Sequence, residues 1–588
     1  MLKNDPLKNV LYINLSRNSF HIEDRSDVFE ERLGGVGAGI KLLLEECPKG
    51  CDPFSPENPI IFAVGPLNAL FPVASKTTVL FKSPHTGNLG ESHCGGRSAI
   101  AMRLAGYGAM VIKGKSDYPV YIAIHEDGVH FRDASSLWGM KSSFTVGRVI
   151  REREKGEGLR TIMRIGRAGE KLVTYAGVIT ESYRHFGRLG LGAVFGSKNL
   201  KAIIISGRRS LPVENARLYK EVYNHIFNEA TRSEAMKKYH DLGTQSNINP
   251  LAKKGALPVR NLQQIGLDEM KKISGESFAE HFLGRRLACS HCPVGCIHLA
   301  ALREPYEDEP YFYKTSMISY DYEPTYALGT MLGISDASVF LKLMDEVEIL
   351  GIDAVSTGVV LAWATEAYQK KLIGKRETMG LEPKWGDGET YMKMVRKIVN
   401  QPNEFYRALA KGVDYASNIY GGREFALAFG GNEMPGYHTG HGCYLGFLIG
   451  ARHGHLDNAG YSIDEKAYER KEEIEPEDMV DRLIKEEKWR QVLSSLVVCF
   501  FARRIYVPDV VISALRVAGF DLSQDELQNI GDRIYKDKFN FKIREGFSVD
   551  NLRLPERIFQ TPSSLGALKR DYFSKALSYF KKILLELK

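Results

Sequence analysis

The sequence predicts an α+β protein: an N-terminal β-sheet base domain followed by two mainly α-helical domains. Three observations carry that reading. The chain has 588 residues, more than one hydrophobic core ordinarily serves. Up to about residue 205, short apolar runs alternate with glycine-rich breaks. Beyond Leu211 the texture changes to long stretches of helical periodicity.

The base domain, residues 1–210, contains LYINL, PIIFAVGP, TTVLF, AMVIKG, PVYIAIH, TIMRIG and KAIIISG. Runs of this length bounded by turn residues read as strands, because β-branched and aromatic side chains suit a buried pleated surface. IKLLLEE has helical spacing instead. Three glycine-rich stretches, GGVGAG, HCGGRSA and GRLGLGAVFGS, punctuate the runs. The second domain, 211–425, opens with ENARLYKEVYNHIFNEATRSEAMKKYH and includes SDASVFLKLMDEVEILG, both helical in period. A glycine-rich segment at 421–442 marks the second boundary. Residues 426–588 return to helical patterns and end in RDYFSKALSYFKKILLELK. The sequence contains no repeat of fixed period and no low-complexity tract.

With 44% hydrophobic and 26% charged residues, the chain has the balance of a globular enzyme rather than of a disordered or fibrous protein. No apolar run approaches the ~18 residues of a membrane span. The opening MLKNDPLKNVLYINLS interrupts its apolar residues with Lys, Asn, Asp and Pro, unlike a secretory leader. A cytoplasmic protein without a membrane partner is the expectation. The net charge of +7 is mild for this length, and no basic tract is interleaved with aromatics, which argues against nucleic acid. A solvated mixed surface is the plain reading of the excess, and a local basic patch that docks an acidic partner protein is the sharper one.

Three of the eight cysteines crowd into Cys289-Ser-His-Cys292-Pro-Val-Gly-Cys296. A short loop lets successive thiolates surround one metal centre, and three close cysteines with one remote cysteine suit a [4Fe–4S] cluster. A structural zinc site more often has two pairs or a Cys/His set, and a second pair is missing. The remote ligand is either Cys499, in the apolar run SSLVVCFFARR, or Cys443. Burial beside a cluster favours Cys499, since it excludes water from the centre.

GRLGLGAVFGS follows Tyr183-Arg184-His185-Phe186. Glycines allow close backbone approach to a ligand, and Arg184 and Arg188 bring the charge that binds phosphate. The spacing is neither a Rossmann fingerprint nor a Walker loop. A second loop, Glu91-Ser-His93-Cys94-Gly95-Gly96-Arg97, strengthens the case for a large polar cofactor.

These strings together resemble the aldehyde:ferredoxin oxidoreductases, tungstopterin enzymes of anaerobes. The matching segments run from INLS and LGGVGAGIKLLLEE through FKSPHTGNLGESHCGGRSA and GRLGLGAVFGSKNLKA. They continue through CSHCPVGC, YDYEPTYALGTMLGI, LGIDAVSTG, ARHGHLDNAGYSID and LVVCFF, almost the whole chain. The last two look like the branch of broad-specificity tungsten oxidoreductases.

The resemblance implies a tungsten (or molybdenum) bis-pyranopterin beside a [4Fe–4S] cluster, with Mg2+ bridging the pterin phosphates. Cys289, Cys292, Cys296 and Cys499 would ligate the cluster. Lys76, His93, Gly95, Arg184, His185, Gly187, Arg188 and Arg452 would contact the pterins. So would Glu348, Ile352 and Asp353, which stand in the family's D-x-x-G-L-[C/D] signature as Glu348-Ile-Leu-Gly351-Ile352-Asp353. Lys76 replaces an arginine, so a bidentate contact becomes a point charge. His93 and His185 replace smaller residues and would offer backbone carbonyls to Mg2+. The second signature, SSLVVC, keeps Cys499 but loses its Asp and Gly, which weakens the expected contact at Ser494.

Aldehyde oxidation to a carboxylic acid is the implied reaction, with ferredoxin or a small polyferredoxin-like subunit as acceptor. Glu323 in YDYEPTYALG matches the proton acceptor, and burial beside a metal would raise its pKa towards a useful range. His455, with His453 two positions away, would hydrogen-bond the substrate oxygen. Tyr322 and Tyr326 would line the pocket. Carboxylate or aryl-thioester reduction on the same scaffold is the alternative, and an electron-transfer subunit without catalysis is another. A dimethyl sulfoxide reductase-type enzyme would carry its cysteines near the N-terminus rather than mid-chain.

Overall fold

Asn9–Asn14 folds back on Ser19–Asp24 because Asn18 takes the left-handed conformation (φ 47°) at the turn, which asparagine tolerates. In the computed structural model, which describes residues 5–586 except 126, 182, 212, 267 and 310, this hairpin edges a six-stranded sheet. Its order is Ser19–Asp24, Asn9–Asn14, Ala109–Lys113, Ile60–Ala63, Thr77–Lys82, Leu89–Cys94. A second six-stranded sheet runs His185–Phe186, Val178–Ile179, Leu159–Ile165, Leu200–Gly207, Val120–His125, Gly128–Asp133. Pairing is antiparallel except for one parallel pair in each sheet. Ile60–Ala63 and Leu200–Gly207 are buried throughout, as their apolar runs require. Phe62 of the first sheet meets Phe186 of the second edge-on, with centroids 5.6 Å apart, and ties the sheets into one core.

Two segments differ from expectation. Glu91–Cys94, read as part of a cofactor loop, lies in a strand paired with Thr77–Lys82. A buried glutamate hides the strand in the sequence, and ion pairs made elsewhere in the fold satisfy it. The other is a three-stranded antiparallel sheet within the helical half: Leu283–Leu287, Ile297–Pro305 and Tyr313–Tyr320. Its first connection is the cysteine segment.

The last base strand ends at Gly207, and Ala216–Arg232 begins the helical part. GGVGAG opens the helix Gly35–Glu46, and its glycines serve packing. A Cβ on Gly35 would stand 2.3 Å from the Ser494 carbonyl oxygen, and the Gly37 N–H donates to Ser495 Oγ at 3.0 Å. The base domain thus lies directly on the end of the long helix Pro476–Ser495. Among the described residues, no single helix is long and apolar enough to cross a membrane.

Candidate active site

A cavity of about 310 Å3 opens where the base sheets meet the helical part. That volume falls within the range of small-molecule sites. His93, His185, Gly187 and Arg188 line it from the base domain. Glu323, Glu348, Ile352 and Asp353 line it from the opposite side, and Arg452 and His455 close it. Its apolar wall includes Met344, Val347 and Val355.

Glu348 to Asp353 is the joint between helices Ala337–Leu350 and Ala354–Gln369. Gly351 ends the first at φ 73°, and a Cβ there would stand 2.8 Å from the Gly166 nitrogen. Only glycine meets both demands. Asp353 caps the second helix by accepting from the Ser356 N–H at 2.8 Å. The Gly177 N–H donates to Gly351 O at 3.0 Å, and the Asp353 N–H to Tyr175 O at 3.0 Å, so the joint is clamped to the base domain. His185 Nε2 then lies 2.6 Å from Glu348 Oε2.

Glu323 sits in the first turn of Tyr322–Leu328, a helix capped by Asp321. Its Oε2 accepts from the Gly436 N–H at 3.1 Å, while Oε1 is buried without a hydrogen bond, 3.3 Å from His455 Nε2. Burial pushes the Glu323 carboxyl up to about 7, against the pull of the Gly436 N–H and Arg188. Burial, with Arg188 and Arg452, pushes His455 down to about 3. At neutral pH the pair is a neutral imidazole beside a carboxyl poised between its two forms. Tyr437 packs on His455 at 5.2 Å. Tyr322 and Tyr326 donate to the Gly436 and Met434 carbonyls behind this wall. His453 points elsewhere, bonding Phe447 O at 2.9 Å and Lys542 Nζ at 2.9 Å.

The cations are held from below. Arg188 donates to Asn432 Oδ1 (2.5 Å) and Glu433 O (2.7 Å), and its buried Nε has no hydrogen-bond partner. Arg452 pairs with Asp457 at 2.5 Å and Glu91 at 3.5 Å. Glu91 also meets His93 (2.7 Å) and Lys538 (2.5 Å). Burial alone would raise Glu91, but Lys538, Arg452 and His93 hold it well below the usual carboxylate range. Asn432 and Lys538 escaped the sequence reading, and Glu91 entered it only as the start of a cofactor loop. Asn432 lies in the glycine-rich segment read only as a boundary, and Lys538, from helix Gln524–Arg544, carries no local signal.

Lys76, Gly95 and Arg184 stand outside the cavity wall, among the cysteines. A Cβ on Gly95 would lie 2.7 Å from Cys289 Sγ and 3.4 Å from Lys76 Nζ. The Ser290 N–H donates to Gly96 O (2.9 Å), and the Val73 N–H to His291 O (3.0 Å). From the other side, the Cys499 N–H donates to Val73 O (3.0 Å). One base-domain loop is therefore sandwiched between the cysteine segment and Cys499. Burial pushes the Cys292 and Cys296 thiols up, and Cys289 and Cys499 add to the push on both. Burial would lower Lys76, but Cys499 and Cys289 outweigh it and hold the ammonium charged. Arg184 reaches Asp321 at 3.0 Å, the cap of the helix that carries Glu323. Cys443 lies apart, its thiol donating to Tyr437 O at 3.4 Å. Among the described residues, no three His, Cys, Asp or Glu side chains converge on a single metal ion. In the eroded signature, Val497 takes φ 55°, the conformation that Gly351 supplies in the intact one. Ser494 is buried, with its carbonyl against Gly35.

Residues 10–207 match the N-terminal domain of aldehyde ferredoxin oxidoreductase, and residues 220–586 match domains 2 and 3. The tungsten-containing aldehyde ferredoxin oxidoreductase of Pyrococcus furiosus is 33% identical over 95% of this chain and 92% of its own. The WOR-like subunit of aliphatic sulfonate oxidoreductase from the same organism is 31% identical over 67% of this chain and 64% of its own. Among solved structures, the active-site complex BamBC of benzoyl coenzyme A reductase has the same fold. Its TM-score is 0.79 at 21% identity, over 99% of this chain and 98% of that one. The fold and the matched sequence define an oxidoreductase scaffold. The chain belongs to the aldehyde ferredoxin oxidoreductase family.

Proposed function

We propose that this chain is a cytoplasmic tungsten- or molybdenum-pterin enzyme. It oxidises aldehydes to carboxylic acids and passes electrons through a [4Fe–4S] cluster to a ferredoxin or a small polyferredoxin-like subunit. The observation that carries the reading is the Glu323–His455 pair on the cavity wall.

The residues present fit the cofactors. The Arg188 Nε–H makes no hydrogen bond and lies 3.6 Å from Asp353 Oδ2, so it can still donate to an anionic group such as a pterin phosphate. A Cβ on Gly187 would approach only Asp353 Oδ1, at 3.6 Å, so the backbone there is open to a ligand. Arg452, His93, His185, Glu348, Ile352 and Asp353 would complete the contacts to the pterins and their Mg2+. Cys289, Cys292 and Cys296 lie on one short segment and Cys499 packs on the same base-domain loop, the three-plus-one arrangement that a [4Fe–4S] cluster uses. Lys76 and Arg184 would neutralise its thiolates.

The metal–pterin supplies two-electron redox chemistry when bound. The chain's own residues orient and move protons. Neutral His455 donates a hydrogen bond to the aldehyde oxygen. Glu323 accepts a proton as the oxygen of water adds to the carbonyl carbon. Tyr437 excludes bulk water. Aldehyde and water become acid, two protons and two electrons.

A groove lined by Lys466, Lys485, Arg503 and Arg504 supports an acidic electron acceptor. None of the four has a carboxylate partner among the described residues. Arg503 and Arg504 directly follow the turn Phe500–Ala502 after Cys499.

Anaerobically purified protein should reduce a viologen dye with aldehydes. Dye oxidation driven by aryl thioesters or carboxylates, with no activity towards any aldehyde, would replace this reading with a reductive one.

A further inference from the structure

Two cysteines that the proposed chemistry does not use lie side by side at the far end of the helix whose first glycines touch Ser494 and Ser495. Cys47 ends helix Gly35–Glu46, and Cys51 follows four residues on, with the sulfurs 3.5 Å apart. The intervening turn is Pro48-Lys49-Gly50, with Gly50 at φ 71° and the Cys51 N–H donating to Pro48 O at 3.2 Å. The turn is anchored to the C-terminal helices. The Gly50 N–H donates to the Glu545 carboxylate at 3.1 Å, and Glu545 pairs with Lys82 (2.6 Å) and Arg544 (2.9 Å).

The two thiols are not equivalent. Cys47 is 2% exposed, whereas Cys51 is half-buried and open on one side. We propose that Cys47 and Cys51 form a redox-active dithiol, a modification site that closes reversibly to a disulfide with low-molecular-weight disulfides. Cys51 is the attacking thiol and Cys47 the resolving one. The shared hydrogen bond pushes the buried Cys47 thiol up and holds Cys51 down, which assigns the same order. Lys82 and Arg544 favour the Cys51 thiolate further.

The exchange balances. The Cys51 thiolate attacks one sulfur of the external disulfide and expels a thiolate, leaving a mixed disulfide on Cys51. Cys47 gives its proton to that thiolate, attacks Cys51 Sγ and expels the second. Two protein thiols and one external disulfide become one protein disulfide and two external thiols. With the sulfurs already 3.5 Å apart, only a small closure separates contact from bond.

The test uses the full-length, anaerobically purified holoenzyme and oxidised glutathione as probe. After exposure, free thiols are alkylated and the protein is digested with trypsin. Cleavage after Lys49 separates the two cysteines, so the disulfide joins peptide 42–49 to peptide 50–76. The expected product is that linked pair, lighter by two hydrogens and released by dithiothreitol. The Cys47→Ser variant should retain glutathione on Cys51, and the Cys51→Ser variant should take none on Cys47. Recovery of both cysteines alkylated after oxidation would overturn the proposal, as would a glutathione adduct on Cys51 that never resolves in the parent protein. Cysteine recovery is independent of turnover, so the outcome stands whether or not aldehydes are substrates.

Discussion

Replacing Glu323 with glutamine removes a cavity carboxyl that titrates near neutrality while keeping its shape. Burial raises this group from 4.5 to about 7, which corresponds to ~3 kcal/mol against ionisation in the folded chain. A proton acceptor works as the carboxylate, so kcat/KM for aldehyde should rise with pH and level off above about 7. At one pH unit below that value only about one carboxyl in ten is ionised, and the rate falls about tenfold. An anion bound in the cavity adds to the upward push, so the limb lies at or above this value. The sign for stability is opposite. A raised folded pKa stabilises the fold below the ordinary glutamate value, and this contribution is lost as pH rises through about 7. Glu323→Gln should lower kcat by about 100- to 10,000-fold and abolish the limb, with metal content unchanged. A variant that keeps the limb, or that keeps parental activity at pH 8, would refute the assignment.

Three further outcomes follow from the same geometry. Gly351→Val should cost about 3 kcal/mol in denaturant unfolding, since φ 73° and Gly166 at 2.8 Å both exclude a side chain; an unchanged midpoint contradicts the clamp. Arg188→Met should lower tungsten or molybdenum content while leaving iron intact, because Arg188 lines the cavity and not the cysteine segment; equal loss of both metals would point to misfolding instead. Reversing charge at Lys485 and Arg504 should raise KM for an acidic ferredoxin about tenfold, with a salt-dependent deficit, and leave reduction of a cationic viologen unimpaired. A uniform loss with both acceptors would remove the groove as the docking surface.

The β-rich base was legible because its strands are short apolar runs: TTVLF and KAIIISG fall within observed strands, and LYINL does so up to Asn14. The helices Ala337–Leu350 and Arg570–Glu586 were legible from their period. The strand Leu89–Cys94 was not, since a sequence cannot show that Glu91 will be buried under Lys538 from a helix more than 400 residues on. The sheet around the cysteine segment was missed because LGRRL and YKTSMISY are too polar to stand out among helical patterns. Long-range placement also separates His455 from His453. Two residues apart in sequence, one lines the cavity and the other bonds to Lys542. Asn432, which joins Arg188 to the Arg452 carbonyl, has no signature beyond its glycine-rich surroundings.

The most direct test of the central claim is elemental analysis of anaerobically purified protein for tungsten, molybdenum, iron and zinc. About four iron atoms and about one tungsten or molybdenum per chain are expected. Zinc alone in freshly prepared, active protein would contradict it.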